Sequence, residues 1–330
     1  MKVWTDFTAV PANIQSVVTI GNFDGMHQGH KKVVTACVER AKRRGVMSVA
    51  CTFDPHPRQV HQPDSAPQLI CPLIDRLDAM DAAGLDATLV ITYDATVYTL
   101  DPEEFVVEFL VERLGVREVV VGEDFRFGHG NAGTVDTLRE LGRRYGFDVV
   151  MVTDIEAPEG RRWSSSWVRE LLAAGDVTGA GRVLGRLHRI RGVVEHGFKR
   201  GRELGFPTAN LGAVIDGVVP ADGVYAGWLV RRVEGTEATE FLPAAISVGT
   251  NPQFEGRRRT VEAHVLGRSD LDLYGEQVAV TFASLIRPMM SFDSVEELLT
   301  QMDDDLRQSA AVLGVAVAGR VDPASVTAGI

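Results

Sequence analysis

A short stretch near the start of the chain combines glycines and histidines at the mouth of a helix-like pattern. In "TIGNFDGMHQGHKKVV", an apolar run ends at Gly21, Gly25 follows, and His27 and His30 are three residues apart. Glycines let a backbone approach a ligand closely, and a helix N-terminus offers unpaired N–H groups and partial positive charge. Two imidazoles add hydrogen-bond donors. Because nucleotidyl transfer gathers negative charge on phosphate oxygens, this arrangement predicts a polyphosphate site for that chemistry.

A second stretch, "HGFKRGRELGFPTANL", is dense in glycine, basic and small polar residues, which are typical of a phosphate-facing flap. The candidate phosphate contacts in it are Gly197, Lys199, Gly201, Gly205 and Thr208. Pro207 fixes the backbone ahead of Thr208 and Asn210, which share one face of an extended segment. Their neutral oxygen atoms suit Mg²⁺, which keeps water and phosphate ligands as well. A turn followed by a polar edge strand would show the same pattern.

Alternation in "RTVEAHVLG" places Thr260, Glu262 and His264 on one face of a strand, opposite three apolar residues. A carboxylate on such a face can take the proton of a primary alcohol as the alcohol oxygen attacks phosphorus. The solvated face of an edge strand would give the same alternation. The pattern alone therefore leaves both interpretations of Glu262 open.

The elements that must position these residues differ between the two halves of the chain. The first half alternates short β-branched runs with amphipathic stretches, which predicts an α/β domain with a parallel sheet and crossover helices. Within it, "DPEEF" predicts a helix capped by Asp101, and Gly115 predicts the end of that helix. The second half shows runs of period two separated by Gly and Pro, then an amphipathic helix around residues 294–308. That pattern predicts a small β-barrel with a terminal helix.

The change of pattern falls near residues 175–185, so we expect two domains, 1–180 and 181–330. The stretch "GAGRVLG" in this region superficially resembles a dinucleotide-binding fingerprint. Leu184 stands where the third glycine would be, and no strand precedes the stretch. We therefore interpret it as a linker or a short helical turn.

Composition argues against several classes of protein. The chain has 330 residues and a formal net charge of −11, whereas nucleic-acid binding needs a basic face. We see neither a basic, apolar leader nor a run of about 18 uncharged apolar residues, so we expect a cytoplasmic protein without a membrane segment. Cys37, Cys51 and Cys71 lack paired spacing, so we expect neither a disulfide framework nor a structural zinc site.

The motif GxFDGxHxGH, which begins at Gly21, resembles the N-terminal signature of the bacterial bifunctional riboflavin kinase/FAD synthetases. These belong to a wider group of nucleotidylyltransferases with an HxGH signature. "TFDPHP", "VGEDFRFG" and "SSSWVR" follow in family order, and the second half continues with "GRELGFPTAN", a Val-Glu-x-His strand, "SVGTNPQF", "DLYGE" and "IRPMMSF". The resemblance covers nearly the whole chain. It implies a Rossmann-like nucleotidylyltransferase domain followed by a riboflavin kinase β-barrel.

The resemblance also implies roles for individual residues. Its ATP-binding positions in the first domain are Gly21, Phe23, Asp24, Gly25, His27, His30, Ser164, Ser165 and Arg169. Among these, it implies catalytic roles for His27, His30 and Arg169. Its flavin-binding positions are Asp54, His56, Pro57, Asp124, Phe125, Arg126, Phe127 and Asn251, although either phenylalanine would also suit a core. In the second domain it implies ATP at the flap and at Thr208, Mg²⁺ at Thr208 and Asn210, and Glu262 as the catalytic base.

Three positions depart from the family pattern. Ser166 and Trp167 stand where the family more often has threonine and arginine, and Met289 stands in place of glutamate. The first two bear on how the phosphates are held, and the third bears on its own position only.

Two consecutive reactions follow from the resemblance, both using ATP and Mg²⁺. Riboflavin and ATP would give FMN and ADP in the second domain, and FMN and a second ATP would give FAD and pyrophosphate in the first. These small molecules are the expected partners, with neither nucleic acid nor membrane.

Three alternatives predict different residues. A riboflavin kinase with an inactive, nucleotide-binding first domain should lack His27, His30 or Arg169. A flavin-carrying regulator should lack Glu262 and the magnesium ligands. A fragment of a class I aminoacyl-tRNA synthetase should carry a lysine-rich motif and a basic surface, where this chain has "SSSWVR" and a net charge of −11.

Overall fold

The computed structural model describes residues 1–153, 156–158, 160–196, 204–233, 238–250 and 259–321. The chain forms two compact units. The first comprises Met1–Gln68 and Pro72–Ser165, and the second comprises Leu69–Cys71 and the chain from Ser166 onward. None of the helices in these described residues is long and apolar enough to cross a bilayer.

A six-stranded sheet forms the centre of the first unit, and every neighbouring pair of strands in it is parallel. Its strands are β1 (Lys2–Trp4), β2 (Ser16–Ile20), β3 (Met47–Asp54), β4 (Ala87–Thr92), β5 (Val116–Gly122) and β6 (Asp148–Val152). They lie in the order β1-β4-β3-β2-β5-β6, which confirms the predicted parallel sheet. The sequence analysis does not predict β1, because a three-residue edge strand is too short to show a period.

The helices of this unit connect the strands. They are α1 (Gln28–Arg44), α2 (Pro57–His61), α3 (Leu73–Ala82), α4 (Ala95–Tyr98), α5 (Pro102–Phe105) and α6 (Val135–Tyr145). Helix α5 runs directly into a π-helix, Val106–Arg113, and 3₁₀ turns lie at Phe7–Ala9 and His129–Asn131. Asp101 caps α5 by accepting a 2.8 Å hydrogen bond from the Glu104 N–H, as predicted. Gly115 has a φ of +51°, and a Cβ there would collide with a backbone carbonyl, so this turn requires glycine.

Both faces of the sheet are covered by apolar side chains, which explains why the central strands are mostly apolar. In β2, Val18 and Ile20 belong to a core that also holds Phe109, whereas Val17 belongs to another core with Val34 of α1. Alternate residues of a strand point to opposite faces, so a strand that is buried on both faces does not alternate between apolar and polar residues.

The second unit contains a closed barrel of antiparallel strands. These are β7 (His188–Glu195), β8 (Ala209–Asp216), β9 (Gly223–Arg232), β10 (Thr239–Thr250), β11 (Arg259–Val265) and β12 (Gln277–Pro288). Their order around the barrel is β10-β11-β8-β7-β12-β9. The described helices of this part of the chain are α7 (Ser165–Ala173), α8 (Val177–Leu184) and α9 (Val295–Leu313). The predicted barrel and terminal helix are therefore confirmed.

The stretch with the superficial dinucleotide pattern lies in α8. Asp176 caps this two-turn helix by accepting from the Gly179 N–H at 2.7 Å, and Gly185 ends it in the left-handed conformation. Val183 and Leu184 are buried. A glycine-rich helix without a preceding strand cannot form the strand-turn-helix of a dinucleotide site.

Candidate functional site

The loop between β2 and α1 brings the two predicted histidines into contact. His27 is the N-cap of α1, and its Nδ1 accepts a hydrogen bond from the His30 N–H at 3.4 Å. The two imidazole rings stack with their centroids 3.7 Å apart. Because Nδ1 of His27 is the acceptor, a neutral His27 carries its proton on Nε2.

His30 is held as a neutral ring. Burial and, secondly, the charge of His27 lower the pKa of His30 well below the usual value of 6.5. Its Nδ1 is buried, and no hydrogen-bond partner for it occurs in the part of the chain that the structure describes. Near neutral pH His30 can therefore form hydrogen bonds as an uncharged ring. The N-terminus of α1 supplies partial positive charge at the same place.

The backbone of the same loop adopts a conformation that L-residues rarely take. Phe23 has a φ of 51°, Gly25 of 80° and Met26 of 42°. The side chains of Phe23 and Met26 are anchored in the core, and Asp24 is also buried. Left-handed non-glycine residues persist only where the surrounding packing dictates them, and such residues cluster at ligand sites.

The predicted serine segment lies against this loop. The Ser165 hydroxyl donates a 2.9 Å hydrogen bond to the Asp24 carbonyl. A Cβ added at Gly29 would lie 3.3 Å from the Cβ of Trp163 and 3.2 Å from the His27 ring, so the close approach of the two segments favours glycine. Ser164, half-buried, precedes Ser165. Arg169 lies one turn into α7, in the second unit.

The "FDPHP" segment follows β3, whose neighbour in the sheet is β2. His56 caps α2 by accepting from the Arg58 N–H at 3.1 Å, and Pro57 is the first residue of that helix. Asp54 is the last residue of β3, and its carboxylate lies 3.6 Å from Nη2 of Arg76. The carboxyl ends of adjacent parallel strands therefore bring the predicted flavin segment next to the histidine loop.

The aromatic loop after β5 is divided between core and surface. Phe127 is buried in the core, whereas Phe125 is half-exposed and stacks on it with ring centroids 5.4 Å apart. The two rings contact one another, so no flavin ring fits between them. Asp124 pairs with Arg162 at 2.9 Å, and Arg126 is exposed.

An aromatic group near "FDPHP" is a feature that the sequence analysis does not identify. His61 Nε2 lies 2.9 Å from the Tyr93 hydroxyl, and the centroids of the His61 and Tyr98 rings are 5.0 Å apart. Tyr93 in turn packs edge-on against Phe53 of β3. These side chains come from three separate segments, so no local pattern could have joined them.

The second candidate site lies where β8 pairs with β11. Glu262 is opposite Asn210 in the register, and the Thr208 hydroxyl donates to Glu262 Oε2 at 3.4 Å. Asn210 Nδ2 donates to the Thr208 carbonyl at 3.1 Å, which leaves its amide oxygen for another partner. Burial raises the pKa of Glu262, although the hydrogen bond from Thr208 opposes this shift. The predicted base and both predicted magnesium ligands are thus neighbours.

His264 supports this site from the same strand. Its ring is buried, and Nδ1 lies 2.8 Å from the Pro207 carbonyl, the residue before Thr208. A carbonyl only accepts, so Nδ1 carries the proton. Burial lowers the pKa of His264, which keeps the ring neutral. The alternation in "RTVEAHVLG" places His264 on the same face as Glu262 but predicts no role for it.

The donor set fits Mg²⁺. The Thr208 hydroxyl donates to the Glu262 carboxylate, and the Asn210 side-chain amide donates to the same hydroxyl at 3.3 Å. A hydroxyl, a carboxylate and an amide are therefore neighbours, and Mg²⁺ takes oxygen ligands and retains several waters or phosphates. Gly205 is one of the residues predicted to contact ATP. In the structure its carbonyl accepts a hydrogen bond from the Val321 N–H at 3.0 Å. The predicted residues Gly197, Lys199, Gly201 and Asn251 lie outside the described residues.

A stacked histidine pair at a helix start and a carboxylate beside neutral oxygens in a barrel are together typical of a two-domain transferase that handles nucleotide phosphates. The family model described as FAD synthetase matches residues 10–167, and the model described as riboflavin kinase matches residues 184–313. The chain belongs to the family of bifunctional riboflavin kinase/FMN adenylyltransferases, which confirms the resemblance seen in the sequence.

Relatives of that name match along most of their length. One from Escherichia coli (strain K12) is 35% identical over 289 residues, covering 88% of this chain and 90% of the relative. One from Bacillus subtilis (strain 168) is 31% identical and covers 89% of this chain and 92% of the relative. A crystal structure from Streptococcus pneumoniae, described as a macrolide-efflux protein, matches with a TM-score of 0.80 and 28% identity over 93% of this chain and 97% of that chain. The two-unit fold is therefore shared.

Proposed function

We propose that this chain makes FAD from riboflavin in two steps, one in each unit. The supporting observation is that each family match contains an intact candidate site. The segment matched as FAD synthetase holds the stacked His27 and His30, and in the segment matched as riboflavin kinase the Thr208 hydroxyl is hydrogen-bonded to both Asn210 and Glu262. We take residues 1–180 as the adenylyltransferase domain and residues 181–330 as the kinase domain. Because both steps consume ATP, we place the protein in the cytoplasm.

In the kinase step, the primary alcohol of riboflavin attacks the γ-phosphorus of ATP. A new P–O bond forms, the bond to the ADP oxygen breaks, and the alcohol proton passes to the Glu262 carboxylate. The raised pKa of Glu262 makes it a stronger base than an exposed glutamate. Thr208 orients this carboxylate through its 3.4 Å hydrogen bond. The products are FMN and ADP.

Thr208 and Asn210 are the proposed Mg²⁺ ligands, in agreement with the oxygen donors found there. The ion would neutralise charge on the ATP phosphates when bound. His264 holds the Pro207 carbonyl and so fixes the backbone that carries both ligands. The flap residues Gly197, Lys199 and Gly201 are proposed phosphate contacts.

In the adenylyl transfer step, a phosphate oxygen of FMN attacks the α-phosphorus of a second ATP, and pyrophosphate leaves. No covalent enzyme intermediate is required. His27 and His30 donate hydrogen bonds to the phosphates, and the N-terminus of α1 adds its partial positive charge. Ser164, Ser165 and Arg169 are further proposed phosphate contacts, through hydroxyl and guanidinium donors.

The flavin of this step is proposed to lie at the carboxyl ends of β3 and β5. Asp54, His56 and Pro57 would line one side of it, with Asp124 and Arg126 as polar contacts. Phe125 presents the exposed face of the phenylalanine stack, and Phe127 supports it from the core. The His61 and Tyr93 rings offer additional aromatic surface beside Asp54.

A chromatographic time course tests this proposal. Purified protein is incubated with riboflavin, ATP and Mg²⁺, and a parallel reaction starts from FMN. We expect FMN to appear first and FAD to follow, and FAD to form directly in the parallel reaction. FMN accumulation without FAD in either reaction would identify a kinase whose α/β unit only binds nucleotide. Absence of both products would leave a flavin-binding protein without chemistry.

A further inference from the structure

Arg76 is the largest of the fully buried side chains in the described part of the chain, with 1% of its surface exposed. It lies on α3, and its guanidinium reaches the carboxyl ends of two neighbouring strands. Nη1 donates to the Asn22 carbonyl at 2.8 Å, to the Phe53 carbonyl at 3.1 Å and to the Thr52 hydroxyl at 3.2 Å. Nη2 lies 3.6 Å from the Asp54 carboxylate.

These contacts join two segments that the proposed reaction must hold at a set separation. Asn22 lies in the loop of Gly21 to His27, just before the left-handed Phe23. Phe53 and Asp54 are the first two residues of the "FDPHP" segment. The Thr52 hydroxyl also donates to the Asn22 carbonyl at 3.3 Å, so one oxygen of the loop is held from two sides.

Stability alone is a weak reason for a buried arginine. Removing a guanidinium from water is unfavourable, and a buried ion pair is often no more stabilising than apolar residues of the same volume. The carboxylate that faces Arg76 is itself 45% exposed, which weakens their attraction through solvent screening. By contrast, a rigid planar fork that donates to several oxygens at once suits the positioning of two loops.

We propose that Arg76 is a positioning residue for adenylyl transfer, which sets the separation between the histidine loop and the "FDPHP" segment. It also places a permanent positive charge behind the phosphate loop. This inference rests on the proposed adenylyltransferase function of the first unit. It concerns how ATP and the flavin phosphate are held relative to each other.

The test compares Arg76→Met, Arg76→Lys and the matched control Arg139→Met, which removes a surface arginine of α6 in the same unit. FMN binding is measured by quenching of flavin fluorescence, and FAD formation by single-turnover chromatography. We expect Arg76→Met to bind FMN with a Kd within threefold of the wild-type value but to form FAD about 100-fold more slowly, as a displacement of about 1 Å would produce. Arg76→Lys should recover part of the rate, and Arg139→Met should match wild type.

Riboflavin phosphorylation by the same samples is the internal control, since the barrel is a separate unit. If Arg76→Met does not fold, Thr52→Val provides the test, because it removes the hydroxyl between Arg76 and Asn22. This variant should form FAD about tenfold more slowly and still bind FMN. An unchanged FAD rate in the folded variants, or joint loss of FMN binding and rate, would overturn the positioning role. A wild-type protein that makes no FAD would instead overturn the proposed function.

Discussion

Glu262→Gln separates the two proposed activities most sharply. Glutamine has nearly the shape of glutamate and retains an oxygen that can accept from Thr208, but it cannot take the proton of the attacking alcohol. General base catalysis typically contributes about 10²–10⁴-fold to a rate. At about 1.4 kcal/mol per factor of ten, the variant loses ~2.8–5.6 kcal/mol of transition-state stabilisation in the kinase step. FAD formation from supplied FMN should not change.

Because the pKa of Glu262 is raised, this variant should also differ from wild type in the pH dependence of its kinase rate. The base must be ionised, so the acid limb of wild-type FMN formation should lie above the usual glutamate value of 4.5, and the variant should lack this limb. A raised pKa in the folded state means that protonated Glu262 favours folding. That contribution is complete below the unfolded pKa and is lost as the pH rises through the folded pKa. At neutral pH the glutamine variant should therefore be at least as stable as wild type.

The assay measures initial rates of FMN and FAD formation by chromatography, on the same samples and between pH 5 and pH 9. Thermal unfolding of each sample is measured as well. Glu296→Gln, an exposed position on α9, is the matched control and should behave as wild type. A Glu262→Gln variant that keeps more than a tenth of the wild-type rate of FMN formation would contradict the role of Glu262 as the base. A folded variant that loses both activities together would contradict the separation of the two sites.

Three further changes test other parts of the structure. His30→Gln should slow FAD formation from FMN by about 100-fold, because a donor at the phosphates is altered, while FMN formation stays within twofold of wild type by chromatography. His264→Phe removes the donor to the Pro207 carbonyl and should raise the Mg²⁺ concentration for half-maximal FMN formation, whereas His264→Asn should not. The same half-maximal Mg²⁺ concentration for both variants in a titration would contradict this. Arg287→Met leaves the buried Asp305 carboxylate without its bidentate partner at 2.9 and 2.8 Å and should lower the free energy of unfolding by about 3–5 kcal/mol in urea titrations. Adding Asp305→Leu should restore most of that loss.

Several elements could not be predicted locally, for reasons that the structure makes clear. Strand β8, "ANLGAVID", contains Asn, Gly and Asp, which disfavour strands, yet it pairs with β7 and β11 to close the barrel. Helix α8 contains two glycines and still forms, because its apolar side chains are buried. In both cases tertiary contacts override intrinsic propensity.

Sequence alone determined the class of each half, the cap at Asp101 and the histidine loop. These are local features, set by periodicity, by turn chemistry and by residue types at short spacing. The motifs also determined the family, because several of them recur in order across both halves of the chain.

Only the tertiary structure decided which of these side chains are buried and what they touch. The helix pattern around Arg76 would suit a solvated arginine, yet folding encloses it between two strand ends. The sequence does not distinguish Phe125 from Phe127 as a core residue, but only Phe127 is buried in the core. His30 becomes a neutral ring through burial against His27. Burial and the pKa shifts that it causes arise from contacts between distant segments, and no local pattern encodes those contacts.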